Sequence, residues 1–378
     1  MTATHDTGVD ARAWLDAVAD GLADRLAARS TEEHERDAAP AFAALKDTRA
    51  AAMLVPRMCG GGGATAQDAV RFQDALGAVA PSAALATTMH HYKIAAFGNV
   101  ALSGDEDARA LLRDIGEDAK LVASGGAEST PGRDLRTLGS WAVRDGDDYL
   151  VTGLKRPCSL SSAMDVMSLM VELRAPDGTP EGYGQAFVPA DSPGLEREEF
   201  WRSTVFLAAQ SHAVRLTAVR IPRANVFPLV GDVGLRFAAD CYLWFQLLIS
   251  ASYLGIARCL AEATPPARRA GSRWWARAEA DLHRLREDLL DAARAVDDGR
   301  PVRDQLNLAV RARDRVEDEI AGIGGRLLRA AGGGSFATTG LHTALAGGLN
   351  AIAFHPPQRG AREGVGLELL EPDVRDAE

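Results

Sequence analysis

Apolar positions recur at helical spacing through the first third of the chain. Leu15, Val18, Leu22 and Leu26 fall on one face of a segment spanning 11–26. A second short helix is predicted over 39–49. Met53-Leu54-Val55-Pro56 and the glycine run Gly60 to Gly63 then break the pattern. Helical spacing resumes over 67–79, with Val70, Leu76 and Val79 inward, and again over 83–97, an apolar stretch that carries Met89, His90 and His91. A further helix over 105–116 has Ser103 or Asp105 as its cap.

The period then changes. Trp141 to Arg144 and Tyr149 to Thr152 flank Asp145-Gly146-Asp147-Asp148, which predicts a hairpin. Other strand candidates cover 166–173, 183–188, 213–216 and 219–222, many of them separated by Pro and Gly. Helical spacing returns over 235–262, 273–296 and 301–330, with Pro301 suited to a helix start. After Gly332-Gly333-Gly334 a last helix is predicted over 341–354, stopped by Pro356-Pro357. The expected plan is α+β: an N-terminal helical domain over 1–120, a central β domain over 121–232 and a C-terminal helical bundle over 233–378.

Composition narrows the function classes. The chain has 378 residues, 47% of them apolar and 25% charged, values of a folded globular protein. Its net charge of -10 supplies no basic face for nucleic acid. Cys59, Cys158, Cys241 and Cys259 form neither a CxxC pair nor a zinc spacing, so no metal is expected. Met1-Thr2-Ala3-Thr4-His5-Asp6 lacks the pattern of a signal peptide. The most apolar segment, 241–260, contains Gln246, Ser250, Ser252, Gly255 and Arg258 and reads as a buried helix rather than a membrane span. The expected compartment is the cytoplasm. No Lys-Ser or Lys-Thr follows Gly60 to Gly63, which excludes a phosphate loop.

Several segments, each weak alone but in a shared order, resemble the acyl-CoA dehydrogenase superfamily. Tyr149-Leu150-Val151-Thr152-Gly153-Leu154-Lys155 is similar to a strand–turn of that family, followed by Ser159 and Met164-Asp165-Val166. Trp201, Ser211 and Val219-Arg220-Ile221-Pro222 match a later stretch, and Leu254-Gly255-Ile256-Ala257 resembles its first long C-terminal helix. The resemblance covers nearly the whole chain. It implies a flavin, FAD or FMN, bound between the β domain and the C-terminal helices. Ser129 and Thr130, with Cys158 and Ser159, then fall on the loops beside the flavin, and Ser211 near its phosphate or ribose. Met89, His90, Trp244 and Phe245 are implied as substrate-pocket walls.

The departures from the family pattern matter as much. One family position for the proton-abstracting Glu corresponds here to His355, with Ala346-Gly347 replacing the Arg-Asp pair before it. The other falls near Phe245, and Asp240 is the nearest carboxylate. Arg268-Arg269-Ala270-Gly271-Ser272 and His342 to Gly348 replace segments that hold the adenine-dinucleotide tail in the family. His355, His91 and Ser159 are therefore the catalytic candidates. The unperturbed pKa of an imidazole lies close to working pH. Cys158 reads as packing or loop shaping.

A flavin-dependent oxidoreductase follows, with a monooxygenase or specialised oxidase of a small biosynthetic substrate first. Such an enzyme uses O2 and reduced flavin, the latter as a diffusible cosubstrate supplied by a flavin reductase. The alternatives are an acyl-CoA or acyl-carrier-protein dehydrogenase with a displaced base, and a flavin-free isomerase, cyclase or lyase. The resemblance also implies a homodimer or homotetramer.

Overall fold

The computed structural model describes residues 11–128, 138–338, 340–360 and 362. Helices α1 (Ala11–Val18), α2 (Leu22–Ala27), α3 (Thr31–Arg36), α4 (Ala39–Asp47), α5 (Ala66–Val79), α6 (Pro81–Leu102) and α7 (Glu106–Glu117) come first. Strands β1 (Val122–Gly125), β2 (Trp141–Asp145), β3 (Asp148–Cys158), β4 (Val166–Arg174), β5 (Pro180–Pro189), β6 (Leu195–Glu198), β7 (His212–Pro222) and β8 (Val226–Pro228) follow. The C-terminal part holds α8 (Gly231–Glu262), α9 (Pro266–Arg269), α10 (Arg273–Asp297), α11 (Val302–Thr338) and α12 (Gly340–Gly348). A 3₁₀ turn, Leu349–Phe354, comes last. The architecture is the three-part plan expected: helices, a central mixed sheet, then a helical bundle.

Local chemistry explains most element ends. Thr65 and Asp68 form a reciprocal capping box on α5, and Asp105, rather than Ser103, caps α7 through Ala108 N. Four expectations differ in detail. The helix predicted over 11–26 breaks at Gly21, whose φ of 75° leaves helical space, giving α1 and α2. The separate strands 213–216 and 219–222 are one strand, β7, with Ala218 at a φ of 47°. Helix α11 runs past the glycine run, with a local break only at Gly332. The final helix ends at Gly348, where an added Cβ would sit 2.6 Å from Val205 and 2.7 Å from Phe206, and the chain tightens into the 3₁₀ turn.

The sheet order is β6-β7-β3-β2-β4-β5-β8, with β1 joining parallel to β4. The predicted hairpin is β2–β3, with Trp141 opposite Thr152. Helices α5, α6 and α8 pack together, and α6 also contacts β1. Gly77 and Gly255 make the α5–α8 crossing close: a Cβ on Gly255 would meet Asp74 O at 2.1 Å. A buried polar cluster sets the register of all three helices. Gln73 Nε2 donates to Ala84 O at 2.9 Å, Thr88 Oγ1 at 2.7 Å and Ser252 Oγ at 3.0 Å. Asp74 takes Arg258 Nη2 at 2.6 Å and lies 3.2 Å from Arg286 Nε, which ties in α10. Helix α8 is long and apolar enough to cross a membrane, but 94% of its apolar window is buried inside the protein. It is the central helix of the core.

Candidate active site

The site forms where α6, the end of β1, α8 and the last 3₁₀ turn converge. Tyr92 on α6 is the hub. Its hydroxyl hydrogen-bonds Ser124 Oγ on β1 at 2.5 Å, and its ring meets Phe245 of α8 edge-on at 5.3 Å between centroids. Phe245 in turn lies 6.2 Å from the ring of His355. His355 is carried in by the 3₁₀ turn and pairs through Nε2 with Tyr253 Oη at 3.0 Å. Tyr253 sits two helical turns beyond Phe245, so one face of α8 presents both. Lys93, next to Tyr92, reaches across to Cys241 of α8 with Nζ–Sγ at 3.7 Å. Met89, one turn earlier on α6, is part-buried on the same side.

From Ser124 the chain leads directly into the expected flavin loops. Arg156 N donates to Ala127 O at 2.9 Å, which lays 126–128 against the end of β3. Glu128 accepts Lys155 Nζ at 2.6 Å, Gly139 N at 2.6 Å and Ser140 Oγ at 3.1 Å. The pair is nearly sealed from water on the lysine side. Burial pulls the Glu128 pKa up, but Lys155 and the two further donors outweigh it and hold it below the usual range. Ser159 Oγ and Ser211 Oγ lie 2.9 Å apart. Beside them a cleft of about 290 Å³ is lined by Arg197, Glu198, Glu199, Trp201, Leu207 and His212. Ser129 and Thr130 lie outside the described residues.

The residues around Ser159 fit a flavin. Gln210 Oε1, His212 Nδ1 and Arg156 Nε are buried with no hydrogen-bond partner among the described residues. Buried polar atoms are rarely left unpaired without a ligand or water. Unpaired donors and acceptors around the Ser159–Ser211 hydroxyl pair match a molecule rich in carbonyl, hydroxyl and phosphate groups.

The sequence candidates separate into groups. His355 and Phe245 meet, with ring centroids 6.2 Å apart. Trp244, buried beside Phe245 on α8, makes no aromatic contact with it among the described residues. Cys158 is fully buried, and burial pushes its thiol up to about 12 despite Lys155 nearby, so it is no nucleophile at neutral pH. His90 uses both ring nitrogens on backbone: Nδ1 accepts Val122 N at 2.9 Å, so Nε2 carries the proton and donates to Ala51 O at 2.7 Å. His91 packs edge-on against Phe72 at 5.6 Å, and burial, then His90, holds its pKa well below the ordinary value. Asp240 is bound by Arg236 Nε at 2.9 Å and Asn99 Nδ2 at 2.8 Å, so it offers no free base.

His355 differs from the expectation of a near-neutral titration. Burial, and then the guanidinium of Arg313, push its pKa down to about 3. Burial also raises Tyr253 above the usual phenol range. Both rings are therefore uncharged at working pH and joined by one hydrogen bond. Tyr92, Lys93, Ser124, Tyr253 and Cys241 were not singled out from sequence. Tyr92 and Lys93 directly follow the histidine pair that drew attention, and only the tertiary contacts distinguish them.

No family model matches the chain. Isobutylamine N-hydroxylase of Streptomyces viridifaciens is 32% identical over 334 residues, covering 86% of this chain and 88% of that protein. A putative acyl-CoA dehydrogenase, YdbM of Bacillus subtilis (strain 168), is 27% identical over 252 residues, covering 65% of this chain and 63% of its own length. Among solved structures, KijD3 in complex with FMN and dTDP-3-amino-2,3,6-trideoxy-4-keto-3-methyl-D-glucose superposes with a TM-score of 0.79 at 21% identity, covering 98% of this chain and 96% of that one.

Proposed function

The chain belongs to the acyl-CoA dehydrogenase superfamily, as a flavin-dependent oxidoreductase of its monooxygenase branch, and from that premise we propose that it N-hydroxylates a small primary aliphatic amine. The observation that carries this is the neutral His355–Tyr253 pair standing where a carboxylate base would be needed for acyl α-proton abstraction. Asp240, the acidic alternative on α8, and Glu128, beside the expected flavin loop, are both engaged by cations. A relative that acts on isobutylamine, by its name, supports the choice of amine.

Bound reduced flavin supplies the activation of O2 into an oxygen donor. The chain's own part is to present a nucleophile to it. An amine attacks only through its lone pair, so it must enter uncharged. The surroundings of His355 favour that form: His355 is uncharged, the guanidinium of Arg313 acts on it, and no carboxylate forms an ion pair or hydrogen bond with it among the described residues. His355, its Nε2 fixed by Tyr253, can accept a hydrogen bond from the amine N–H at its other ring nitrogen and hold the reacting nitrogen uncharged and in place. Tyr92 and Phe245 wall off water and position the alkyl part. Ser159 and Ser211 are the hydroxyls that would hold the flavin.

The same reading assigns a cytoplasmic setting and a separate flavin reductase as the source of reduced flavin. A homodimer or homotetramer is part of it as well, with Phe336 and Phe354 as exposed apolar residues of the bundle. The test is turnover of isobutylamine by the purified chain with FMN or FAD, a flavin reductase, NADH and ¹⁸O2. A hydroxylamine carrying the heavy oxygen is expected. Anaerobic bleaching of the flavin by an acyl thioester, with no oxygenated amine, would overturn the proposal.

A further inference from the structure

Arg313 and Arg362 are the two largest fully buried side chains among the described residues. Both hold the short stretch of chain that carries His355. Arg313, on α11, donates through Nη2 to Ile352 O, three residues before the histidine. The same oxygen takes His355 N at 3.3 Å, so both of its lone pairs serve to fix the turn. Arg362 Nη1 donates to Pro357 O at 3.3 Å, two residues after the histidine. His355 is thus bracketed by two backbone carbonyls, each held by a guanidinium.

The two arginines are not paired alike. Arg362 Nη2 meets Asp314 Oδ1 at 2.6 Å and Glu317 Oε2 at 2.7 Å, both on α11. Arg313 has only that same Glu317 oxygen, at 3.7 Å. Its Nε and Nη1 are buried with no hydrogen-bond partner among the described residues. Burial, and then the charge of Arg362, bring its pKa down to about 10, which leaves it a cation at working pH. A cation so sparsely neutralised is a poor stabiliser, and a methionine would fill the space without that cost. Its field reaches two titratable rings, Tyr253 from α8 and His355 from the turn. The third element against the turn, α12, carries only His342 as a titratable group, and Asp314, Glu317 and Arg362 are the other charges on the α11 side. An imidazolium has no acceptor nitrogen, and a like charge beside the ring opposes that second proton.

We propose that Arg313 is a positioning residue for His355: from α11 it ties down the turn that carries the ring and sets a like charge beside it, so that the imidazole meets substrate as a neutral hydrogen-bond acceptor. The role of that acceptor rests on the amine-hydroxylation reading; the tether and the field do not. Arg313 acts through the turn and through charge, without touching substrate. Tyr253 fixes one nitrogen of the ring, and Arg313 keeps the ring from closing the other with a proton.

Histidine ¹⁵N spectra of the flavin-loaded protein read the ring without turnover, with His355→Asn to assign its resonances. At pH 5 the parent ring is expected to give the signals of a neutral imidazole. In Arg313→Met it should move part of the way to imidazolium, protonating about one pH unit sooner. Arg313→Lys keeps the charge and should restore the neutral ring. Arg313→Gln, a second neutral variant, takes the place of Met where Met fails to fold. Turnover of isobutylamine should follow the spectra. The kcat of Arg313→Met should fall about tenfold with KM little changed, and the acid limb of its pH profile should move up. An unmoved His355 resonance in the folded neutral variants would overturn the proposal. So would an equal shift in Arg313→Lys, since packing rather than charge would then set the state of the ring. A ring that responds as expected, in a protein that oxygenates no primary aliphatic amine, would uphold Arg313 and refute amine hydroxylation instead.

Discussion

Tyr253 and His355 lie 3.0 Å apart through Oη and Nε2, although 102 positions separate them in the chain. One ring belongs to the central helix of the core and the other to the last turn before Pro356-Pro357. The contact fixes the orientation of the His355 ring beside Phe245. His355→Ala should lower turnover about tenfold or more, the worth of a hydrogen bond that positions the reacting amine. Tyr253→Phe should cost about tenfold, as for loss of one hydrogen bond. Steady-state kinetics beside circular dichroism checks both. Unchanged turnover in folded His355→Ala would remove His355 from the mechanism.

Acid should destabilise the protein before its carboxylates titrate. His90 and His355 are pushed down to about 4 and about 3 by burial, and His91 is also depressed. The unfolded chain, with histidines near 6.5, binds protons that the folded one refuses. Stability is therefore complete above about pH 6.5 and falls as pH drops toward the folded values. His90 alone accounts for roughly 2 kcal/mol at pH 5. Glu35, raised by burial, pulls the other way. Urea unfolding at pH 7, 6 and 5 should show the midpoint falling.

The Lys155–Glu128 pair should matter for both folding and cofactor. Lys155→Met leaves a carboxylate at the base of the flavin loop without its cation, expected to cost about 3 kcal/mol. Flavin affinity should fall with it, read by fluorescence titration. Glu128→Gln has one acceptor oxygen in place of two, so it cannot accept from both Gly139 N and Ser140 Oγ, and it removes the charge that faces the buried Lys155 ammonium; a loss of similar size is expected.

Ser159 and Ser211 offer a more local test. Ser159→Ala and Ser211→Ala should each raise the flavin dissociation constant about tenfold while leaving the thermal midpoint of the flavin-free protein near its parent value. FMN and FAD measured side by side would show whether the adenine end contributes at all. An unaltered dissociation constant in both variants would place the flavin elsewhere.

Gly255→Ala should be among the most damaging single changes. The added Cβ would lie 2.1 Å from Asp74 O and 2.8 Å from Gly77 Cα, so α5 and α8 would have to part. The expected cost is about 3 kcal/mol or more, since backbone cannot step aside as a side chain can. Gly146→Ala, with open space around it but a φ of 64°, should cost only about 1 kcal/mol. Chemical denaturation of both variants compares them directly.

Much of the architecture was legible along the chain because it depends on local period and punctuation. The shift from helical to alternating spacing near Trp141, and back again after Pro228, marks the sheet. Strand β1 was not predicted, since four buried residues without alternation carry no periodic signal and its partner β4 lies over forty residues on. His355 and Phe245 emerged as candidates through the family resemblance, as the places where a carboxylate is missing. Tyr92, Lys93 and Tyr253 stayed hidden because their roles are defined by contacts across helices. His90 shows the reverse error of attention: histidine draws notice as chemistry, yet here it serves as a bracket between two stretches of backbone.

The buried Gln73–Thr88–Ser252 cluster has a bearing on how such a protein can diversify. It fixes the axial register of α5, α6 and α8 one helical turn away from Tyr92. Alignment of the scaffold is thus delegated to one set of side chains and choice of guest to another. Met89, Tyr92, Lys93, Cys241 and Phe245 can be exchanged in a combinatorial library while the helices stay keyed. A lineage could change its diet without having to reinvent its frame.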